Sequence, residues 1–490
     1  MGHAYSSISA DVIARFKRLE SFNVNFLTGT DEHGLKIQRA AEKENKSPKD
    51  FCDIISKNFL DLTKKLNLSN TDFIRTTEKR HIDTVVRLWK TLVQKKEIYI
   101  SKYSGWYSIS DEAFYTNDEI EEKNGTKLSK TTGSRVDWVE EDSYFFKLSK
   151  WQSHLLDFYS NNPNFISPLV RKNEIVSFVK SGLKDLSISR TSFNWGIPVP
   201  SNNKHVIYVW LDALTNYISA LNYYEKNNKN EFWPADFHII GKDIIRFHCV
   251  YWPAFLLAAD IKPPKKIFAH GWILSGEEKM SKSKGNILDP IEIIDNYGLD
   301  EIRYYLMKEV IYGEDGKITP ENLANCINSD LANNIGNLYQ RITSIIHSRL
   351  ESKIPNCSPK DSTDVKILNL IDNNLNNLIA TFNKLEIHNY TKSLIQLFSE
   401  VNKYVNDTAP WSLKEDSLDK RNIILYCVLE FLRKAFILLQ PIIPDKSKII
   451  LDSLNVPNDE RSIINITNSF KILPGTKINK IEILFKKHDN

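Results

Sequence analysis

The apolar residues of the first hundred positions change period again and again, and this alternation constrains the fold more than any other feature. Ile8, Val12, Ile13 and Phe16 recur at helical spacing within residues 4–18, residues 23–27 alternate like a short strand ending in Thr28-Gly29-Thr30, and helical patterns follow through residue 40 and over 48–66. A strand-like run at 72–75 and a helical one at 81–96 continue the series. Strands separated by helices predict an α/β fold with a parallel sheet covered by helices. From residue 98 the texture changes to Tyr, Trp, Gly and Ser with acidic clusters at 118–122 and 140–142, and it stays irregular to about 203. The expectation is an inserted domain over 98–205 that splits the α/β domain into 1–97 and 206–274. Strand-like runs at 206–210 and 237–240, each followed by a helical pattern, resume it. A loop rich in Gly, Lys and Ser opens a connecting region over 275–329, and beyond it long amphipathic helices predict an all-α bundle over 330–490.

Charge leaves the partner open. Across 490 residues, 65 Lys+Arg nearly cancel 61 Asp+Glu to give a formal +4, which excludes a histone-like or polyanionic chain. A local basic face is still compatible with that total, so a nucleic-acid partner is permitted without being demanded. The five cysteines are scattered with no C-x-x-C pair, which supports neither a disulfide framework nor a zinc ribbon and predicts a reducing, cytoplasmic setting. The longest apolar stretch, at 250–259, falls short of the roughly 20 residues that a membrane helix needs. Charges at Asp11, Arg15 and Lys17 argue against a signal peptide. Residues 1–6 match the myristoylation pattern M-G-x-x-x-[ST], a string short enough to recur by chance.

Chemistry concentrates in a few places. Lys279-Met280-Ser281-Lys282-Ser283-Lys284-Gly285 sets three lysines and two hydroxyls beside a glycine that lets the backbone bend. Such a loop can fold over a triphosphate, although a solvated surface loop would have the same composition. Gly2-His3 opens the first predicted helix, where free N–H groups and the helix dipole favour an anion.

In chain order the sequence carries GHAYSSISADVIARF at 2–16, FLTGTDEHG at 26–34, YSGWYSISDEAFY at 103–115, VWLDALTNY at 209–217, IIGKDIIRFHCVYWPAFL at 239–256, HGWILSGEEKMSKSKGN at 270–286 and DLANNIGNLYQR at 330–341. With these segments it resembles the class I aminoacyl-tRNA synthetases over essentially its whole length, and within them the methionine-specific family in its short, zinc-free form. The resemblance implies a Rossmann-like catalytic domain. It also implies a two-step reaction, in which methionine and ATP give methionyl-adenylate and pyrophosphate, and the acyl group then passes to tRNA with release of AMP. In this family a His-x-Gly-His signature precedes AYS, so its first histidine and a first strand would lie upstream of Met1. The expectation is that the true start lies upstream and that a chain beginning here has little activity.

The resemblance assigns roles residue by residue. Lys282 would meet the developing charge on the β- and γ-phosphates with Lys279 supporting the loop, and His3 beside Gly2 would serve the phosphates. Gly241 and Asp243 would hold the nucleotide ribose, and Arg190, twenty residues before Trp210, would touch the phosphate region. Mg²⁺ is expected with ATP, with no ligand set identified. Asp31 would pair with the methionine ammonium, and Trp210, Ala213, Tyr217, Ile244, Phe247, His248 and Trp252 would form the thioether pocket, where aromatic edges suit a polarizable sulfur. Leu214 stands where some relatives have proline. Asn333, Asn337 and Arg341 recur at i, i+4 and i+8 along one predicted helix face, from which they would read the anticodon, with Trp411 stacking on a base. Residues 98–204 contain no cysteine and only His154 as a histidine, so no structural zinc is expected, and the insert is too short for the editing domain of the larger relatives. A monomer that binds methionine, ATP and both the acceptor end and the anticodon of tRNA(Met), with no membrane contact, is the resulting expectation. The alternative is a chain that only binds tRNA. Another class I enzyme, such as the cysteine-specific one, would call for zinc-ligating cysteines that are absent.

Overall fold

The computed structural model describes residues 1–123, 125–276, 278–279, 289–359, 361–413, 417–467 and 471–488. It divides into two compact units, Asn25–His270 on one hand and Met1–Val24 with Gly271–Asn490 on the other.

In the first unit the strands Leu27–Thr30 and Asp72–Arg75 run parallel, with Leu27 opposite Asp72 and Thr30 opposite Arg75. The helices Leu35–Lys43 and Pro48–Lys65 make the crossover. Ser47 starts the second of them by accepting a hydrogen bond from the Asp50 N–H, and Pro48 sits in the first turn where its missing donor costs nothing. Gly29 is required by its neighbour strand, because a Cβ there would lie 2.0 Å from the Ile74 carbonyl oxygen. Gly29→Ala is therefore expected to destabilise this unit by about 1–3 kcal/mol, read as a lowered thermal transition. A second parallel sheet places Ile267–His270 between His238–Gly241 and Ile166–Ser167. All four residues of Ile267–His270 are buried, as a strand inside a parallel sheet requires, and three of them are apolar. Trp89, Leu211, Trp252, Phe255 and Leu256 belong to the apolar core of this unit.

The stretch expected to be irregular is the clearest departure from the sequence reading. Ile98–Ser108 pairs antiparallel with Asp137–Phe146 from Ile98 opposite Phe146 to Tyr107 opposite Asp137, flanked by Ala113–Tyr115 and Leu186–Ser187. Half of Asp137–Phe146 faces outward with acidic residues, and the partner strand is tyrosine-rich, so the period-2 signal is carried by aromatics and charges instead of aliphatics. The helices Gln152–Asn161 and Leu169–Lys180 follow, and Ile166–Ser167 between them joins the parallel sheet. Asp111 organises the loops here by accepting hydrogen bonds from Tyr115 OH at 2.7 Å, Thr132 Oγ1 at 2.6 Å and Ser134 Oγ at 2.8 Å.

The second unit is mostly helical. Its first helix, Gly2–Leu19, packs Phe16 on Phe382 with ring centroids 3.6 Å apart. It therefore groups with the C-terminal helices instead of with the α/β strands that follow it in sequence. Ile273–Ser275 pairs with Glu278–Lys279 and with Gly316–Ile318. The bundle includes Asn337–Arg349, Leu370–Asn383, Ile387–Thr408, Leu418–Leu439 and Pro444–Ser453. Leu418–Leu439 is buried nearly all round, and two of its buried cations are paired: Arg433 donates to Glu430, and Lys434 pairs with Asp372. No helix among the described residues is long and apolar enough to cross a membrane.

Candidate active site

Asp31 follows directly on the carboxyl end of the parallel strand Leu27–Thr30, the edge at which parallel α/β sheets bind ligands. The loop that carries it is anchored on its far side. Glu32 accepts a bidentate pair from Arg75 at 2.7 and 3.0 Å and hydrogen bonds from Thr30 and Thr77, while its own N–H donates to Thr76 Oγ1. Trp195 Nε1 donates to the Glu32 carbonyl at 2.6 Å. His33 Nδ1 bonds Asp212 Oδ2 at 2.7 Å. Gly34 has φ 107°, a backbone conformation that calls for glycine, and the Glu112 carboxylate lies close over it. Among the described residues nothing donates a hydrogen bond to the Asp31 carboxylate. Solvent reaches it, yet protein surrounds it. Desolvation and the nearby Asp212 charge push its pKa up to about 6. A carboxylate so placed feels the His33 and His81 charges but accepts no hydrogen bond, and an ammonium group would supply both charge and donors.

The aromatic residues lie next to this loop. Trp210 stacks on Phe247 with centroids 3.8 Å apart and 8° between planes, and it meets His248 edge-on at 6.2 Å. Tyr217 stacks on His238 at 3.8 Å, lies 6.2 Å from Trp252 and feels the Asp31 charge. Tyr217 OH lies 2.8 Å from His248 Nε2, and His248 Nδ1 lies 3.0 Å from the Ile244 carbonyl. Since that carbonyl only accepts, Nδ1 carries the proton and Nε2 accepts from the tyrosine. Burial lowers the His248 pKa to about 4, so the ring stays neutral. Ala213 is buried on Val209–Leu214, and Ile244 is partly buried at the end of the turn Lys242–Ile244. Phe247–Tyr251 is a π-helical turn feeding the helix Trp252–Ala258. The wider turn is invisible to a 3.6-residue period and changes which side chains share a face.

The nucleotide candidates are placed as follows. Gly241 ends the parallel strand His238–Gly241 opposite His270, and the Asp243 carboxylate folds back over it, its Oδ1 2.5 Å from where a Cβ would be. Gly2 and His3 are exposed in the first turn of Gly2–Leu19. Lys279 lies on Glu278–Lys279 opposite Leu274, and its side chain, like the whole of Lys282, lies outside the described residues. Arg190 is only 2 % exposed, its guanidinium 4.7 Å from the Tyr208 ring centroid and 5.3 Å from that of Tyr107, with Glu141 at 3.7 Å. It is thus a buried cation among aromatic rings, not a surface arginine. Among the described residues no group of three or more His, Cys, Asp or Glu side chains is arranged to hold a metal ion.

In the helical bundle Asn333 lies in a π-helical segment, Ile327–Gly336, and Asn337 begins the α-helix Asn337–Arg349. Both asparagines are exposed. Arg341 donates to Asn406 Oδ1 at 2.8 Å and lies 4.6 Å from the Trp411 ring centroid, and Arg349 donates to the Trp411 carbonyl at 3.0 Å. Trp411 remains 42 % exposed, so ring surface is left for another flat partner.

Sequence reasoning passed over two groups. Asp212 and His81, which continue the His33 contact, come from segments with no shared period. Glu112, whose carboxyl is raised by burial to about 7, faces Gly34 from the turn just before Ala113–Tyr115. Asp212 and Glu112 lie inside motif strings, which was the available signal, whereas His81 lies in none.

Residues 1–343 match the family model described as tRNA synthetases class I (M), and residues 354–490 match that of the anticodon binding domain of methionyl tRNA ligase. The methionine–tRNA ligase of Rickettsia conorii is 48% identical over 493 residues, covering 100% of this chain and 96% of that protein. Its counterpart in Brucella suis is 45% identical over 489 residues, covering 100% and 95%. The crystal structure of Mycobacterium tuberculosis methionyl-tRNA synthetase bound by methionyl-adenylate superposes with a TM-score of 0.96 at 41% identity, over 99% of this chain and 96% of that one. On matches of this identity and extent, the chain belongs to the methionyl family of the class I tRNA synthetases.

Proposed function

We infer that the chain ligates methionine to its tRNA at the expense of ATP, by way of methionyl-adenylate. The observation that carries this reading is the Asp31 carboxylate, left without a hydrogen-bond donor on an anchored loop beside a neutral aromatic pocket. In the first step a methionine carboxylate oxygen attacks the α-phosphorus of ATP and pyrophosphate leaves. In the second, a hydroxyl of the terminal tRNA ribose attacks the activated carbonyl and AMP leaves. Asp31 holds the ammonium, and Trp210, Ala213, Tyr217, Ile244, Phe247, His248 and Trp252 enclose the thioether. We assign the ribose to Gly241 and Asp243 and the phosphates to Gly2, His3, Lys279 and Lys282, with Mg²⁺ arriving on ATP. Arg190 adds positive potential from its buried position. Positioning and charge neutralisation supply the catalysis, since neither step needs a covalent enzyme intermediate. Coverage of 95–96% of the curated relatives favours this reading over a chain that binds tRNA alone. Catalysis by a monomer in the cytoplasm is part of the same proposal.

The test is methionine-dependent ATP–pyrophosphate exchange followed by charging of tRNA(Met). Exchange that other amino acids support equally, or folded protein that neither exchanges nor binds methionine and ATP, would overturn the reading. Asn333, Asn337, Arg341 and Trp411 are assigned to the anticodon. Trp411→Ala removes one stacking platform, so the KM for tRNA is expected to rise about 5- to 160-fold, the equivalent of 1–3 kcal/mol, with exchange unchanged. A matching loss in exchange would show that the tryptophan acts on the fold instead.

A further inference from the structure

Asp212 is 1 % exposed, and both of its oxygens are engaged. Oδ2 meets His33 Nδ1 at 2.7 Å and Oδ1 meets His81 Nε2 at 2.7 Å, while His81 Nδ1 lies 2.9 Å from Ser219 Oγ. Burial alone would raise the Asp212 pKa, but the His33 charge and the two histidine hydrogen bonds overcome it and bring it down to about 2. The carboxylate is therefore ionised and only accepts, so His33 Nδ1 and His81 Nε2 both carry protons. An ionised carboxylate is costly to bury, and an apolar side chain on this helix would pack without that cost. What the charge accomplishes is connection. His33 is two residues beyond Asp31, Asp212 is two beyond Trp210 and adjacent to Ala213, His81 belongs to Lys79–Gln94, and Ser219 ends the helix Asn216–Ser219 that also carries Tyr217.

We propose that Asp212 is a positioning residue for the amino-acid substrate: through His33 it ties the loop bearing Asp31 to the helices bearing Trp210, Ala213 and Tyr217. It thereby fixes the spacing between the ammonium site and the thioether slot. The proposal rests on the assignment of those two sites to methionine. A ligand that spans both sites depends on the spacing, and one that fills the slot alone does not.

Asp212→Asn in the full chain separates these cases by calorimetry with three probes: methionine, methioninol, which keeps the amine, and the des-amino analogue, which keeps only thioether and carboxylate. Methionine and methioninol are expected to lose about tenfold in affinity and the des-amino analogue less than about twofold, the scale of one misplaced charged hydrogen bond. Equal losses for all three would mean that Asp212 merely holds the pocket together, and no loss would remove it from the substrate site; either overturns the proposal. Should Asp212→Asn not fold, His33→Ala is expected to reproduce the pattern. His33→Asn, whose amide nitrogen can replace Nδ1, is expected to restore most of the affinity, and failure of that rescue also counts against the proposal. A wild-type chain that binds neither methionine nor methioninol overturns the underlying functional reading as well, an outcome distinct from any pattern among the variants.

Discussion

Asp31→Asn is expected to lower kcat/KM for methionine in ATP–pyrophosphate exchange by about 30- to 1,000-fold, the equivalent of 2–4 kcal/mol for removing one partner of a desolvated charge pair. The amide keeps the shape of the side chain and loses the charge that balances the ammonium. Neighbouring carboxylates cannot stand in, because Glu32 is held by Arg75 and Asp212 by His33 and His81. Wild-type activity should also show an acid limb. Asp31 has its pKa raised to about 6 by desolvation first and then by Asp212 and Glu32, against the opposing influence of His81 and His33. Below that pH the carboxyl is neutral and binds the ammonium poorly; above it the carboxylate is ionised and binds well. The limb should therefore appear in kcat/KM, which reports the free protein, near pH 6. It should move lower in kcat, because a bound ammonium stabilises the ionised form. A limb that persists in Asp31→Asn would point to Glu112, whose carboxyl is raised to about 7.

The local setting of several candidate residues was legible in the sequence, for a physical reason. Asp31 follows the strand Leu27–Thr30, Asp243 follows His238–Gly241, and Trp210 lies on the helix just after the strand Asn202–Ile207, so the local order of strand, turn and helix marks each position. Contacts made across the sequence were not legible. Nothing near Phe16 indicates that its partner is Phe382, so the first helix read as part of the α/β series although it packs with the C-terminal bundle. The Asp212–His81 contact spans 131 positions, and periodicity carries no information at that range. Helical periodicity also misjudges local geometry where the turn widens. Phe247–Tyr251 and Ile327–Gly336 are π-helical, and each contains or adjoins residues assigned to a substrate. The antiparallel pairing of Ile98–Ser108 with Asp137–Phe146 escaped because aromatic and acidic residues replace the aliphatic alternation that marks most half-buried strands.

The second large effect concerns stability. Arg303 and Asp11 are both fully buried, and Arg303 donates to Asp11 Oδ2 at 2.7 Å and to the carbonyls of Pro441 and Ile442 at 2.9 Å each. Asp11 also receives Arg15 Nε at 2.7 Å. One guanidinium thus joins three segments: Gly2–Leu19, Leu299–Glu309 and the turn after Leu418–Leu439. Arg303→Met removes the cation and leaves a buried carboxylate with less compensation, for which about 3–5 kcal/mol of destabilisation is expected in chemical denaturation. Asp11→Leu combined with Arg303→Met removes both charges, and it should recover much of that loss because no unpaired ion is then buried. The functional consequence follows from what the first helix carries. Its opening turn holds Gly2 and His3, so Arg303→Met should lower exchange activity at temperatures where the wild type is still folded, and the double variant should regain it. If the single variant costs less than about 1 kcal/mol, water must reach Asp11 once the arginine is gone, and the ion pair does not hold the helix in place.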